Sequence, residues 1–178
     1  SLYAMQERQC LYNPPQVAMF LPQGLRIWSE LDDIGRTEAL HISGSPERAD
    51  WTIYLDGRPH PSPNDAHTLA GFTTGTWEGE TLVTYTTHLK DGYTRRGNGI
   101  PASDQATVTS YFIRHDALLT IMTIQEDPVY LTEPMIRTTN WELAPTQNID
   151  PYPCEVAEEI DRPAGVIPHH LPGSNPYL

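Results

Sequence analysis

Apolar and polar positions alternate with a period of two along most of the chain, and stretches with a helical period are scarce. Leu25, Ile27, Ser29 and Leu31 alternate with Arg26, Trp28 and Glu30, which predicts a strand. Asp32-Asp33-Ile34-Gly35 predicts the turn that follows, and Ala39 to Ser43 a second strand. Trp51, Ile53 and Leu55 alternate with Thr52, Tyr54 and Asp56 in a third, ended by Asp56-Gly57. Phe72 to Trp77 and Thr81 to Leu89 flank Glu78-Gly79, a hairpin signal because glycine adopts positive φ without cost. Thr107 to Arg114 and Leu118 to Gln125 flank a second hairpin turn at His115-Asp116-Ala117. Ile136 to Leu143 is the last predicted strand, after breaks at Asp127-Pro128 and Glu133-Pro134.

Eight strands in simple succession, rich in threonine and β-branched residues, predict an all-β fold. The expected architecture is an antiparallel up-and-down meander, closed as a lipocalin-like barrel that removes its own edges. A two-sheet sandwich is the alternative. A barrel of this size either fills itself with side chains or holds one small ligand. Residues 1–24 read as an extended N-terminal segment, 25–143 as the barrel domain, and 144–178 as an irregular arm carrying seven prolines. That arm is expected to pack over the barrel or onto a partner. Two connections also stand outside the strand pattern. Residues 57–69 are proline-rich, and residues 90–105 form a long polar loop of the kind that is usually functional or disordered.

Composition narrows the possible partners. The chain has 178 residues and a formal net charge of −12. Polyanion repulsion therefore disfavours nucleic-acid binding, and likewise an anionic membrane surface. No apolar run approaches the roughly 20 residues of a membrane-spanning helix. The opening Ser1-Leu2-Tyr3-Ala4-Met5 shows neither a signal-peptide pattern nor a natural initiation site, so a mature or trimmed form is expected. Two cysteines, Cys10 and Cys154, permit one disulfide. Closing so long a loop would contribute roughly 4–5 kcal/mol in the chain-entropy model.

Several stretches together resemble a large, mostly uncharacterised family of exported bacterial proteins. They are Ile53-Tyr54-Leu55-Asp56-Gly57-Arg58-Pro59-His60-Pro61, Gly75-Thr76-Trp77-Glu78-Gly79-Glu80-Thr81-Leu82-Val83 and Asp127-Pro128-Val129-Tyr130-Leu131-Thr132-Glu133-Pro134. Arg95-Arg96 with Gly99-Ile100-Pro101, and Pro168-His169-His170-Leu171-Pro172-Gly173, extend the resemblance over most of the chain. Glu80 stands where the family more often has aspartate. The family supplies no established activity. The resemblance implies a periplasmic or secreted setting, and an oxidising compartment would permit the Cys10–Cys154 disulfide.

Candidate chemistry falls into three groups. Among seven histidines, His60 and His67 share one connection and His88 ends the second strand after it. No HExxH or Cys/His zinc spacing is present, so neither metal nor cofactor is expected, although the three imidazoles would suit proton transfer if the fold gathers them. Lys90, the only lysine, lies near Arg95 and Arg96, a local reversal of charge that suits a carboxylate. Trp28, Trp51, Tyr54, Phe72, Trp77, Tyr85, Tyr111 and Trp141 fall in strands as core aromatics. In a hollow barrel part of this set, with inward threonines, Tyr54 and Tyr111, would line a pocket. A Ser110/His88/Asp104 triad lacks a nucleophile elbow and is rejected.

The first functional expectation is an exported binding or accessory protein. It holds a small hydrophobic, aromatic or carboxylate-bearing molecule in the barrel, with Tyr54, Lys90, Arg95, Arg96 and Tyr111 as the expected ligand-binding residues. The second is an acid–base lyase, hydratase or isomerase using His60, His67 or His88. The third is a structural subunit, joined into a homo-oligomer or larger complex through residues 144–178.

Overall fold

The computed structural model describes residues 14, 15, 19, 24–44, 49–93 and 100–149. Its strands are β1 (Leu25–Leu31), β2 (Thr37–Gly44), β3 (Ala49–Tyr54), β4 (Phe72–Glu78), β5 (Thr81–Thr87), β6 (Gly92–Tyr93), β7 (Pro101–Ala102), β8 (Thr107–His115), β9 (Leu118–Glu126) and β10 (Met135–Glu142). Eight of them form one sheet in the order β1-β2-β3-β4-β5-β8-β9-β10, while β6 and β7 pair separately inside the 90–105 connection. All eight expected strands are present, in sequence order. The all-β, barrel-like meander curls through 217°, a half-barrel with β1 and β10 as its edges. Among the described residues no helix is long and apolar enough to cross a membrane.

Local chemistry sets the turns. The Asp32 carboxylate accepts the Ile34 and Arg36 N–H groups at 3.0 and 2.8 Å, closing the β1–β2 turn. Gly79 (φ 62°) and Asp116 (φ 51°) take the left-handed conformation that the two tight hairpins require. One joint departs from the antiparallel pattern. β3 and β4 run parallel, held by two residue pairs, Ile53 with Thr73 and Tyr54 with Thr74. The physical reason is the connection after Leu55, which carries the chain back so that β4 starts from the same end as β3.

The register divides the side chains between two faces. Leu40, Ile42, Trp51, Ile53, Thr73, Leu82, Thr84, Ser110, Phe112, Ile121 and Thr123 share one of them. The Trp51 and Phe112 ring centroids lie 5.8 Å apart, although their strands are three inter-strand spacings, about 14 Å, apart along the sheet. Only a face curled toward itself brings them into contact, so this face is concave. Met19, Ile42, Trp51, Ile53, Leu82, Phe112 and Ile121 form its buried apolar cluster, and burying each side chain contributes roughly 1.5–3 kcal/mol. Gly75 on β4 makes room for it. A Cβ there would stand 2.8 Å from Ile53 Cγ2 and from Leu55 Cδ2.

Candidate functional site

Polar residues interrupt the apolar lining of the concave face in two neighbouring rows. In one, the Trp51 indole N–H donates to Thr73 Oγ1 at 2.7 Å, and Thr73 and Thr86 join their hydroxyls at 2.8 Å. These three side chains satisfy one another, and their register continues through Val108 to Gln125. In the other, Gly75, Thr84, Ser110 and Thr123 are successive register partners across β4, β5, β8 and β9. Here Thr84 Oγ1 and Ser110 Oγ are buried without a hydrogen-bond partner. Both atoms of the Gln125 carboxamide, two residues beyond Thr123 on β9, are likewise unpaired. These three side chains are at most 1% exposed and lie on adjacent strands. A buried polar group left unpaired costs about 1–3 kcal/mol, so three clustered residues of this kind require an explanation. The Trp141 indole N–H on β10 is also buried and unpaired.

The convex face carries the expected histidines, and the fold does gather them. Backbone hydrogen bonds lay the proline-rich connection along the end of β5. The Thr68 N–H donates to His88 O at 2.9 Å, and the Lys90 N–H donates to Thr68 O at 2.8 Å. His60 then sits over the sheet, with Nδ1 2.7 Å from Thr87 Oγ1 and Nε2 2.9 Å from Thr74 Oγ1. Thr87 Oγ1 is also 2.7 Å from His88 Nδ1, and His88 Nε2 is 2.9 Å from the Ser62 carbonyl. His67 Nδ1 faces the Leu89 carbonyl at 3.0 Å, its ring 5.1 Å from that of His88. Phe72 and Tyr85 pack against His60 at 5.1 and 5.3 Å between centroids.

Two features tie this cluster to strain and burial. His88 has φ 55°, a left-handed backbone that is uncommon for a residue with a Cβ. It ends β5 and leaves the ring in hydrogen-bonding reach of Ser62. Burial lowers the pKa of His60, and neighbouring His88 lowers it further, so His60 is a neutral base at neutral pH. Among the described residues no group of three or more His, Cys, Asp or Glu side chains is arranged to hold a metal. The imidazole nitrogens point at hydroxyls and carbonyls instead.

The other expected site residues fall differently. Tyr54 and Tyr111 are on the convex face, because strand alternation places each opposite its inward neighbours, Ile53 for Tyr54 and Ser110 and Phe112 for Tyr111. Tyr54 stacks on Phe72 at 5.2 Å and lies beneath the Arg58 guanidinium at 3.8 Å. It is separated from the concave lining that it was expected to join. Lys90 is exposed. Arg95, Arg96, Cys10, Cys154 and the arm beyond residue 149 lie outside the described residues. Thr73, Thr84, Thr86 and Thr123 face inward, whereas Thr74 and Thr87 face outward. Sequence reasoning missed Gln125 and singled out Ser110 only for a triad. Polar residues at inward positions of β8 and β9 were the available signal.

A buried acid supports the fold near the 90–105 connection. Burial pushes the Asp127 carboxyl up, but four hydrogen bonds outweigh it and hold its pKa below the ordinary value. The donors are the Ser103 N–H and hydroxyl and the N–H groups of Val129 and Tyr130. This pins the Asp127-Pro128 break to the end of β7.

The molecule is thus an all-β half-barrel with a polar inner row and an outer histidine chain. No protein-family model, curated protein or solved structure matches the chain.

Proposed function

We propose that this protein binds a small molecule on the concave face of its half-barrel. The observation that carries the reading is the unpaired, buried set of Thr84, Ser110 and Gln125. Their hydroxyls and carboxamide offer both donors and acceptors but no charge. Trp51 and Phe112 supply aromatic surface on the same face. The matching ligand is a small hydrophobic or aromatic molecule with a neutral hydrogen-bonding group. The family resemblance supports an exported setting for this role.

Thermal-shift titration and native mass spectrometry of the full chain with indole, phenol, benzamide and benzoate test the reading. Saturable stabilisation is expected, because a ligand that binds only the folded state stabilises it by mass action. It should vanish in the Thr84→Val/Ser110→Ala/Gln125→Met variant. A crystal structure with ordered waters on these atoms, and no stabilisation by any of the four probes, overturns it.

A further inference from the structure

The hydrogen-bond chain on the convex face has a direction. A carbonyl oxygen only accepts, so His88 must carry its proton on Nε2 to donate to Ser62. When His88 carries that proton alone, its Nδ1 is bare, and Thr87 donates its hydroxyl proton there. With that proton committed, Thr87 Oγ1 accepts from His60, which fixes the His60 proton on Nδ1. The bare Nε2 of His60 accepts from the Thr74 hydroxyl. Each group satisfies the next, from Thr74 to His60 to Thr87 to His88 to Ser62.

We propose that Thr74, His60 and Thr87 form a nucleophile, base and orienting group for acyl transfer from small aromatic or apolar esters. The logic is that of an activated hydroxyl: a nucleophile within hydrogen-bond reach of a base, and the base held in one tautomer by a third group. Tyr54 and Tyr85 are the register partners of Thr74 on either side, and Phe72 and Tyr85 flank the His60 ring. These rings give an acyl or aryl group an aromatic wall. This site is on the opposite face from the binding row and does not depend on it.

In the step, Thr74 Oγ1 adds to the ester carbonyl and its proton passes to His60 Nε2. The tetrahedral intermediate expels the alcohol oxygen, which takes that proton from Nε2, leaving an ester on Thr74. Water, deprotonated by His60, then hydrolyses this ester to the acid and restores the hydroxyl. His88 lies one hydroxyl further on. As His60 becomes imidazolium, its Nδ1 proton can pass to Thr87 while the Thr87 proton passes to His88 Nδ1, so the charge is shared along the chain. His88 and Thr87 act here as positioning residues. Lowering of the His60 pKa by burial keeps the base unprotonated at neutral pH.

The full chain treated with p-nitrophenyl acetate at pH 7.5, roughly one unit above the usual histidine pKa, provides the test. Peptide mapping should find the acetyl group on Thr74, with matching release of p-nitrophenol. His60→Gln and Thr87→Val should each slow its formation at least about tenfold, within the range that general bases supply. Thr74→Ser should retain the reaction and Thr74→Val abolish it, with circular dichroism verifying that each variant is folded. Acetyl found only on Lys90, on the terminal amine or on His60 itself overturns the proposal. Nitrogen-15 NMR gives a readout independent of turnover. The expected tautomers are Nδ1–H for His60 and Nε2–H for His88. An Nε2–H tautomer at His60 overturns the proposal even if some acetylation occurs.

Discussion

The two faces of the sheet handle polar side chains in opposite ways. On the convex face, Thr74, His60, Thr87 and His88 satisfy one another in a single direction, and the last of them ends on a backbone carbonyl. On the concave face, Thr84, Ser110 and Gln125 are more deeply buried and pair with nothing. Threonine serves both surfaces, so residue type does not separate them. The difference lies in what each row can reach. The convex row meets a connection that brings its own imidazoles, whereas the concave row looks across a curved interior. A satisfied chain stabilises the protein. Buried hydroxyls and a carboxamide left unpaired weaken it.

Replacing hydroxyls by apolar isosteres should therefore change stability with opposite sign on the two faces. The largest effect is expected for Thr87→Val, which strips the partner from both His60 Nδ1 and His88 Nδ1. Chemical denaturation should show a loss of about 2–3 kcal/mol. Thr84→Val with Ser110→Ala should instead raise the stability of the ligand-free protein by about 1–2 kcal/mol, since two unpaired buried groups disappear. A loss of stability in that double variant would erase the contrast.

Two effects of pH sharpen the comparison. His60 has a folded pKa below its ordinary value of 6.5, so its neutral form is favoured by folding. The associated stability is complete above that value and declines as pH falls below 6.5. His60→Phe should flatten the decline between neutral pH and about pH 5 in urea midpoints. Asp127 behaves likewise in a lower window. Its contribution is present above the ordinary value of 3.8 and is lost as pH falls through the lower folded value, so Asp127→Asn should remove that acid dependence. Arg58→Met should shift the melting midpoint least. Its pairs with Asp56 and Glu38 are solvent-facing and screened by salt.

Much of the fold was legible in the sequence, because each strand alternates cleanly and each tight turn carries its own chemistry. Glu78-Gly79 and His115-Asp116-Ala117 mark their hairpins without help from the rest of the chain. The parallel β3–β4 joint was not legible. Strand pattern does not encode direction, and the proline-rich connection reverses the expected run. Half of the candidate chemistry was visible for the same local reason. His60 and His67 lie close in sequence, yet Thr74 and Thr87 become partners of His60 only through the β4–β5 register. Tyr54 and Tyr111 lie on the convex face, and aromatic character alone does not give the phase of alternation that faces inward. Gln125 passed unnoticed because a polar residue near a strand end looks exposed until curvature buries it.

The short parallel joint also has a mechanical meaning. Two residue pairs couple the three strands β1 to β3 to the other five, whereas the antiparallel ladders on either side are longer. Fewer hydrogen bonds resist lateral bending at this joint than at the ladders beside it. Trp51 braces that joint from within. Its indole is hydrogen-bonded to Thr73 across the joint, and its ring rests against Phe112 beyond it. One buried side chain thereby ties the two groups of strands together from inside the curve.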